Sequence, residues 1–251
     1  MSQPPSQSST TTEKVPTASQ PRSKMSLGVR AFCGLALALL VLILLLFLPA
    51  GTLRFWQAWA FIAILFVPIL CAYACLWKYD PELLERRLEQ KEQVGEQKRL
   101  MRWGRPVFLA FLLLPGFDHR LGWSRTLLGA TPPLWLTLLS QAVSLSGLLF
   151  AIWVVRVNRF AARTIRVESE QKVISTGPYA VVRHPMYAGG AFLWLFAPLA
   201  MGSYIALPAF ALIVPLLVFR LLNEEKVLSE QLPGYREYCL RTRYRLIPFV
   251  W

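Results

Sequence analysis

The sequence predicts an all-α integral membrane protein with about six transmembrane helices, the last two forming a C-terminal helical hairpin that carries a cofactor site. Three observations lead there. Hydrophobic residues make up 55% of the 251 residues and charged residues only 16%, against about 25% charged in soluble domains. The apolar residues are gathered into long runs, as in chains that have lipid for a solvent. The 27 lysines and arginines, which set a formal net charge of +13, flank those runs instead of lining one face of a soluble domain. That placement reads as a topology signal and as contact with anionic membrane lipids. It argues against a nucleic-acid partner.

Residues 1–26 are rich in Ser, Thr, Gln and Pro, too poor in apolar surface to fold, and are expected to be a disordered tail. No short apolar region follows the first methionine, so the tail does not read as a secretory signal peptide. The transmembrane part is expected over 27–157 and the catalytic, cofactor-binding part over 158–251. Span one covers about Val29 to Leu48 and is broken by Pro49, Ala50 and Gly51. Span two covers Trp56 to Trp77, with tryptophans at both ends where interfacial belts place them. The 78–105 loop that follows is charged with both signs. In it Asp80-Pro81 should open a helix, Asp as cap and Pro in the first turn, and Leu83, Leu84 and Leu88 give a partial apolar stripe. The loop reads as an amphipathic helix lying on the membrane surface.

Span three, Pro106 to Phe117, is short for a ~20-residue crossing. Span four covers Leu134 to Val157. Spans five and six, Met186–Met201 and Tyr204–Leu222, are joined only by Gly202 and Ser203. With the N-terminus cytoplasmic, Arg54, Arg120 and Arg125 are the only three of the 27 basic residues outside, so both termini are expected in the cytoplasm. Cys33, Cys71 and Cys75 lie within apolar runs, which excludes a disulfide framework. Cys71 and Cys75 have no histidine or acid beside them and read as helix packing, so no metal site is expected.

The chemistry is concentrated in the last third. The chain leaves span four through the polar segment from Asn158, enters apolar sequence again at Met186, turns at Gly202-Ser203 and returns to Arg220, Glu224 and Glu225. Antiparallel helices joined by a tight turn place their open ends side by side. Arg183, His184 and Pro185 should therefore lie near Arg220, Glu224 and Glu225. Each signal has a plain structural reading: His184 before Pro185 marks a helix start, Tyr179 and Tyr187 could anchor the interface, and Arg220 could snorkel. Together they describe a pocket with a cation, a carboxylate pair, an imidazole and two aromatic rings. A carboxylate suits an ammonium, an arginine suits a carboxylate, and aromatic faces suit a sulfonium. S-adenosyl-L-methionine presents all three.

The stretch T-G-P-Y-x-x-V-R-H-P-M-Y-x-G from Thr176 to Gly189, followed by R-x-x-x-E-E from Arg220 to Glu225, resembles the isoprenylcysteine carboxyl methyltransferase family and the related phospholipid N-methyltransferases. Gly234-Tyr235-Arg236-Glu237-Tyr238 and the R-Y-R-L-I-P run at Arg243–Pro248 also resemble bacterial members, which would place the chain in a bacterial inner membrane. The resemblance is specific over about 165–251. It implies that His184, Pro185, Met186 and Tyr187 line the cofactor site, with Tyr179 as an aromatic contact. It implies that Gln171, Lys172, Val173 and Ile174 face adenine and ribose, that Glu224 holds the cofactor's amino group, and that Arg220 stands near the substrate carboxylate.

These implications give in-line methyl transfer to a lipophilic acceptor that enters from the bilayer, the carboxylate of a prenylated cysteine being the family's example. A carboxylate nucleophile needs positioning and desolvation and no general base. An amine acceptor would need one, and His184 or Glu225 would then serve. A phospholipid or small-lipid methyltransferase, an NADPH-dependent membrane reductase of related architecture and a non-catalytic scaffold are the alternatives. No G-x-G-x-x-G follows a strand, which excludes a soluble dinucleotide-type fold. His119 and His184 fall on opposite faces, which excludes paired haem ligation.

Overall fold

The computed structural model describes residues 24–88, 102, 104, 106–158 and 172–251, and every regular element among them is helical. The expected tail, most of the 78–105 loop and residues 159–171 lie outside the described residues. In chain order the helices are α1 (Lys24–Ala50), α2 (Trp56–Tyr79), α3 (Pro81–Leu88), α4 (Leu114–Leu121), α5 (Trp123–Leu128), α6 (Leu134–Val157), α7 (Pro185–Ala200), α8 (Leu207–Ala211), α9 (Ile213–Gln231) and α10 (Tyr235–Arg241).

Four helical stretches among the described residues are long and apolar enough to cross a membrane: Ser26–Ala50, Trp56–Tyr79, Leu134–Val157 and Leu207–Gln231. Six spans are expected from the sequence, and the remaining two, the third and the fifth, fall on shorter or interrupted helices. Residues 106–111 are helical, but a turn at 112–113 interrupts the run before Pro115 restarts it as α4, which stops at Gly122 with φ +65°. The 16-residue α7 starts at Pro185, carries Pro198 in its last turn and is followed by Gly202 at φ +75°. At about 1.5 Å per residue it is some 24 Å long, short of a ~30 Å hydrocarbon core.

Lipid gives helices little hydrophobic reason to associate, so small and polar residues at the contact do that work. The most extensive helix pair, α6 on α7, is built this way. A Cβ added at Gly147 would stand 2.7 Å from the Gly189 carbonyl oxygen, and one at Gly189 would stand 2.7 Å from that of Gly147. Above this crossing Ser144 donates to the Leu193 carbonyl at 3.2 Å and Gln141 to that of Ala200 at 3.0 Å. Gly189→Ala should therefore force two backbones apart and destabilise the protein by about 1–3 kcal/mol. Gly190→Ala, which meets open space, should not. Thermal unfolding in detergent would separate the two.

A second polar anchor sits at the far end of α7. Buried Asp118 accepts from the Ser124 amide at 2.7 Å and from the hydroxyls of Ser124 and Ser203. Ser124 in turn accepts from the Tyr204 amide at 3.0 Å, which fixes the turn between α7 and α8 onto α4 and α5. Asp118→Ala strands these donors and should cost about 1–3 kcal/mol, again as a lower unfolding midpoint. His119 stacks on Phe55 at this same end, ring centroids 4.2 Å apart, well away from His184 at the start of α7.

The main core joins α1, α2, α6, α7, α8 and α9 through Leu46, Phe61, Leu148, Leu193, Phe210 and Ile213. Asp80 caps α3 by accepting from the Leu83 amide at 3.2 Å, and Leu84 packs on Leu27 and Ala31 of α1. The helix that reads as surface-lying is thus docked against the bundle along its apolar side.

Candidate functional site

The site lies where the chain enters α7, where α9 ends, and where the C-terminal segment passes both. Pro185 drives its predecessor out of helical geometry, and His184 sits at φ −126°, ψ 59° ahead of α7. This sharp entry lets Arg183 and His184 use their backbone amides elsewhere. Arg183 N donates to the Tyr244 carbonyl and His184 N to that of Arg245, both at 2.9 Å. The C-terminal segment is thereby laced beside the mouth of α7.

Two linked clusters follow. In the first, Arg220 Nε donates to the Tyr187 hydroxyl at 3.0 Å, and Tyr187 donates to Glu224 Oε2 at 2.5 Å. Arg220 and Glu224 are one turn apart on α9, so a single face of that helix grips one tyrosine of α7 from both sides. In the second cluster Glu225 takes Arg183 Nη1 at 2.9 Å and His184 Nε2 at 3.3 Å on one oxygen, and Arg245 Nε at 2.8 Å on the other. Arg245 also lies over the Trp251 ring at 5.3 Å. Both oxygens of Glu225 are occupied by basic groups, the arrangement of a brace between α9, the entry to α7 and the C-terminal segment.

The tyrosines form the rest of the wall. Tyr179 is buried in the Gly177–Ala180 turn, and its carbonyl accepts from Tyr238 at 2.7 Å and Thr242 at 3.4 Å. Burial pushes its hydroxyl up to about 12, against a lowering hydrogen bond with Asn158. Burial likewise pushes the Tyr235 and Tyr238 hydroxyls far up, and for Tyr235 the charges of Glu225 and Glu224 add to it. All three stay protonated donors at any physiological pH.

Of the residues singled out from sequence, Tyr187, Arg220 and Glu224 are brought into one hydrogen-bonded cluster and His184 and Glu225 into the adjacent one. Pro185 is fully buried at the helix start and Met186 is half-buried, its sulfur 3.9 Å from the Arg87 guanidinium. Val173 packs against Leu232, Tyr235 and Tyr238, Ile174 is half-buried, and Lys172 is exposed. Gln171 lies outside the described residues. Sequence reading missed Asn223 and Arg87 as members of the site, and saw Tyr235 and Arg245 only as parts of the G-Y-x-x-Y and R-Y-R-L-I-P runs. For Arg245 that run was the available signal.

Three buried donors near these clusters have no hydrogen-bond partner among the described residues: Arg183 Nε, Asn223 Nδ2 and the Tyr235 hydroxyl. Leaving such groups unmet costs about 1–3 kcal/mol each, which an acceptor-bearing ligand would relieve. No group of His, Cys, Asp and Glu among the described residues could hold a metal ion.

The phospholipid methyltransferase family model matches residues 135–233, from the start of α6 to just past the end of α9. The match takes in every residue of both clusters except Arg245. A Delta(14)-sterol reductase of Mus musculus is 33% identical over 91 residues, which is 35% of this chain and 22% of the reductase. The chain thus matches about a fifth of the length of that curated relative.

Proposed function

We propose that the chain is a membrane-embedded S-adenosylmethionine-dependent methyltransferase acting on a lipophilic acceptor. The observation that carries the reading is the Arg220–Tyr187–Glu224 chain of hydrogen bonds at the head of α7, inside the segment that matches a methyltransferase family. The donor set fits the cofactor. Glu224 would take its ammonium, the unmet donors Arg183 Nε, Asn223 Nδ2 and the Tyr235 hydroxyl would take its carboxylate, and the rings of Tyr187 and Tyr179 would face its cation.

When bound, S-adenosylmethionine supplies an already activated methyl group. The chain's own residues then have to orient and to dry the site. Tyr187 is 9% exposed and held from both sides, so its ring is fixed before any ligand arrives. Arg220, tied to Tyr187 through Nε, would be oriented by the same bond to hold an acceptor carboxylate. His184, 5% exposed and engaged by Glu225, is better placed to hold the brace than to take a proton. An oxygen nucleophile, such as the carboxylate of a prenylated cysteine, suits this site better than an amine that must lose a proton.

The reductase relative favours a second reading, an NADPH-dependent membrane reductase. Thermal unfolding of the purified protein separates the two. At a hundred times its dissociation constant a ligand adds about 2.7 kcal/mol, a plainly visible rise in midpoint. We expect that rise with S-adenosylmethionine or S-adenosylhomocysteine and none with NADPH. The reverse result would replace the methyltransferase reading with the reductase one.

A further inference from the structure

We infer that Tyr238 is a positioning residue: together with Thr242 it holds the Tyr179 backbone so that the Tyr179 ring faces the sulfonium of the cofactor. The inference rests on the methyltransferase reading and gives a task to the last tyrosine of the G-Y-x-x-Y run.

Gly234, at φ +81°, turns the chain out of α9 and starts α10. Tyr238 and Thr242 are four residues apart, so their side chains share one side of that helix. That side is set on the Gly177–Ala180 turn. Both hydroxyls donate to a single acceptor, the Tyr179 carbonyl, Tyr238 at 2.7 Å and Thr242 at 3.4 Å. All three residues are buried. A carbonyl oxygen has two lone pairs, and the two hydroxyls take them.

The two tyrosines of the proposed cofactor wall are held in different ways. Tyr187 belongs to the 16-residue α7, whose own hydrogen bonds fix its backbone. Tyr179 sits in a four-residue turn with irregular chain on either side. Its backbone has no long helix to hold it, and α10 supplies the clamp. The other end of Tyr179 is fixed as well. Its hydroxyl hydrogen-bonds Asn158, just past α6, and feels the charge of Glu224. Glu224 is the carboxylate proposed to take the cofactor's ammonium, so the Tyr179 side chain stands within electrostatic reach of the bound amino-acid end. A cation is attracted to a ring only over its face and within about 6 Å of its centre. A small rotation of the turn would lose that contact.

The readout is the ratio of affinities for S-adenosylmethionine and S-adenosylhomocysteine, measured by equilibrium dialysis of labelled cofactor with purified full-length protein. The second ligand lacks the methyl group and with it the charge on sulfur. The ratio therefore reports the contact between ring and cation, while a general loosening of the site cancels. Tyr179→Leu removes the ring, and the ratio should fall about tenfold; Tyr238→Phe keeps the ring but frees the carbonyl, and it should fall about threefold. Thr242→Val removes the longer bond, for a fall of about twofold. Tyr179→Phe should keep the original ratio. In the Tyr179→Leu background, Tyr238→Phe should lower the ratio no further, because both changes act on one contact.

An unchanged ratio in Tyr238→Phe, including equal losses for both ligands, would reduce Tyr238 to packing and overturn the inference. Where Tyr238→Phe does not fold, Thr242→Val decides by the same criterion. An unchanged ratio in Tyr179→Leu would overturn it too, as would a further fall when Tyr238→Phe is added to that variant. If the unsubstituted protein binds neither ligand, the methyltransferase reading itself fails, and the inference with it.

Discussion

Glu224→Ala should weaken S-adenosylmethionine binding by about 10- to 100-fold. A hydrogen bond to a charged group contributes about 1.5–3 kcal/mol, and each 1.4 kcal/mol is a factor of ten in affinity. Glu224 is half-buried in the C-terminal half of α9 and already accepts from Tyr187, so its carboxylate is held in place before any ammonium arrives. The substitution removes the charge and also leaves the Tyr187 hydroxyl without its acceptor, while Arg220 still donates to that hydroxyl. Tyr187→Phe removes the link between arginine and glutamate but keeps the charge, so the loss there should be smaller, about three- to tenfold. Glu230→Ala, exposed on the same helix, is the control. Equilibrium binding of methyl-labelled cofactor to the purified protein measures all three. Unchanged affinity in Glu224→Ala would remove that residue from the cofactor site.

Much of this site could be read without coordinates, and the reason is specific. Two apolar runs separated by Gly202 and Ser203 leave few geometries, so residues just before the first run and near the end of the second must lie close together. That is how His184, Tyr187, Arg220, Glu224 and Glu225 could be grouped from sequence. Span counting was less secure, because it rests on run length and hydropathy alone. These do not register that Pro115 and Gly122 cut one run, or that Pro185 and Pro198 with Gly202 bound another. Long-range partners were harder still. Arg245 reaches Glu225 only because the C-terminal segment pairs with Arg183 and His184, and no periodicity announces an irregular segment. Arg87 sits on an amphipathic helix whose composition fits a solvated face equally well. Only the docking of Leu84 on Leu27 and Ala31 turns Arg87 toward Met186.

The same irregular segment makes the second large effect local in a testable way. Glu225→Ala leaves Arg183, His184 and Arg245 around an empty position, and removing one partner from a buried ionic group costs about 3–5 kcal/mol. The loss should not spread evenly. Glu225 fastens α9 to two chain segments that otherwise meet through the amides of Arg183 and His184, so those amides and residues 243–251 should loosen first. Hydrogen exchange should then show lost protection at Arg183 and His184 while the α6–α7 contact around Gly147 and Gly189 stays protected. Arg245→Ala should give a milder form of the same pattern, because Arg183 still neutralises Glu225. Combined with Glu225→Gln, it should cost less than the two single changes added together, since both remove one shared bond. If Glu225 instead serves as a base and not a brace, Glu225→Ala would leave protection at Arg183 and His184 unchanged and abolish turnover alone.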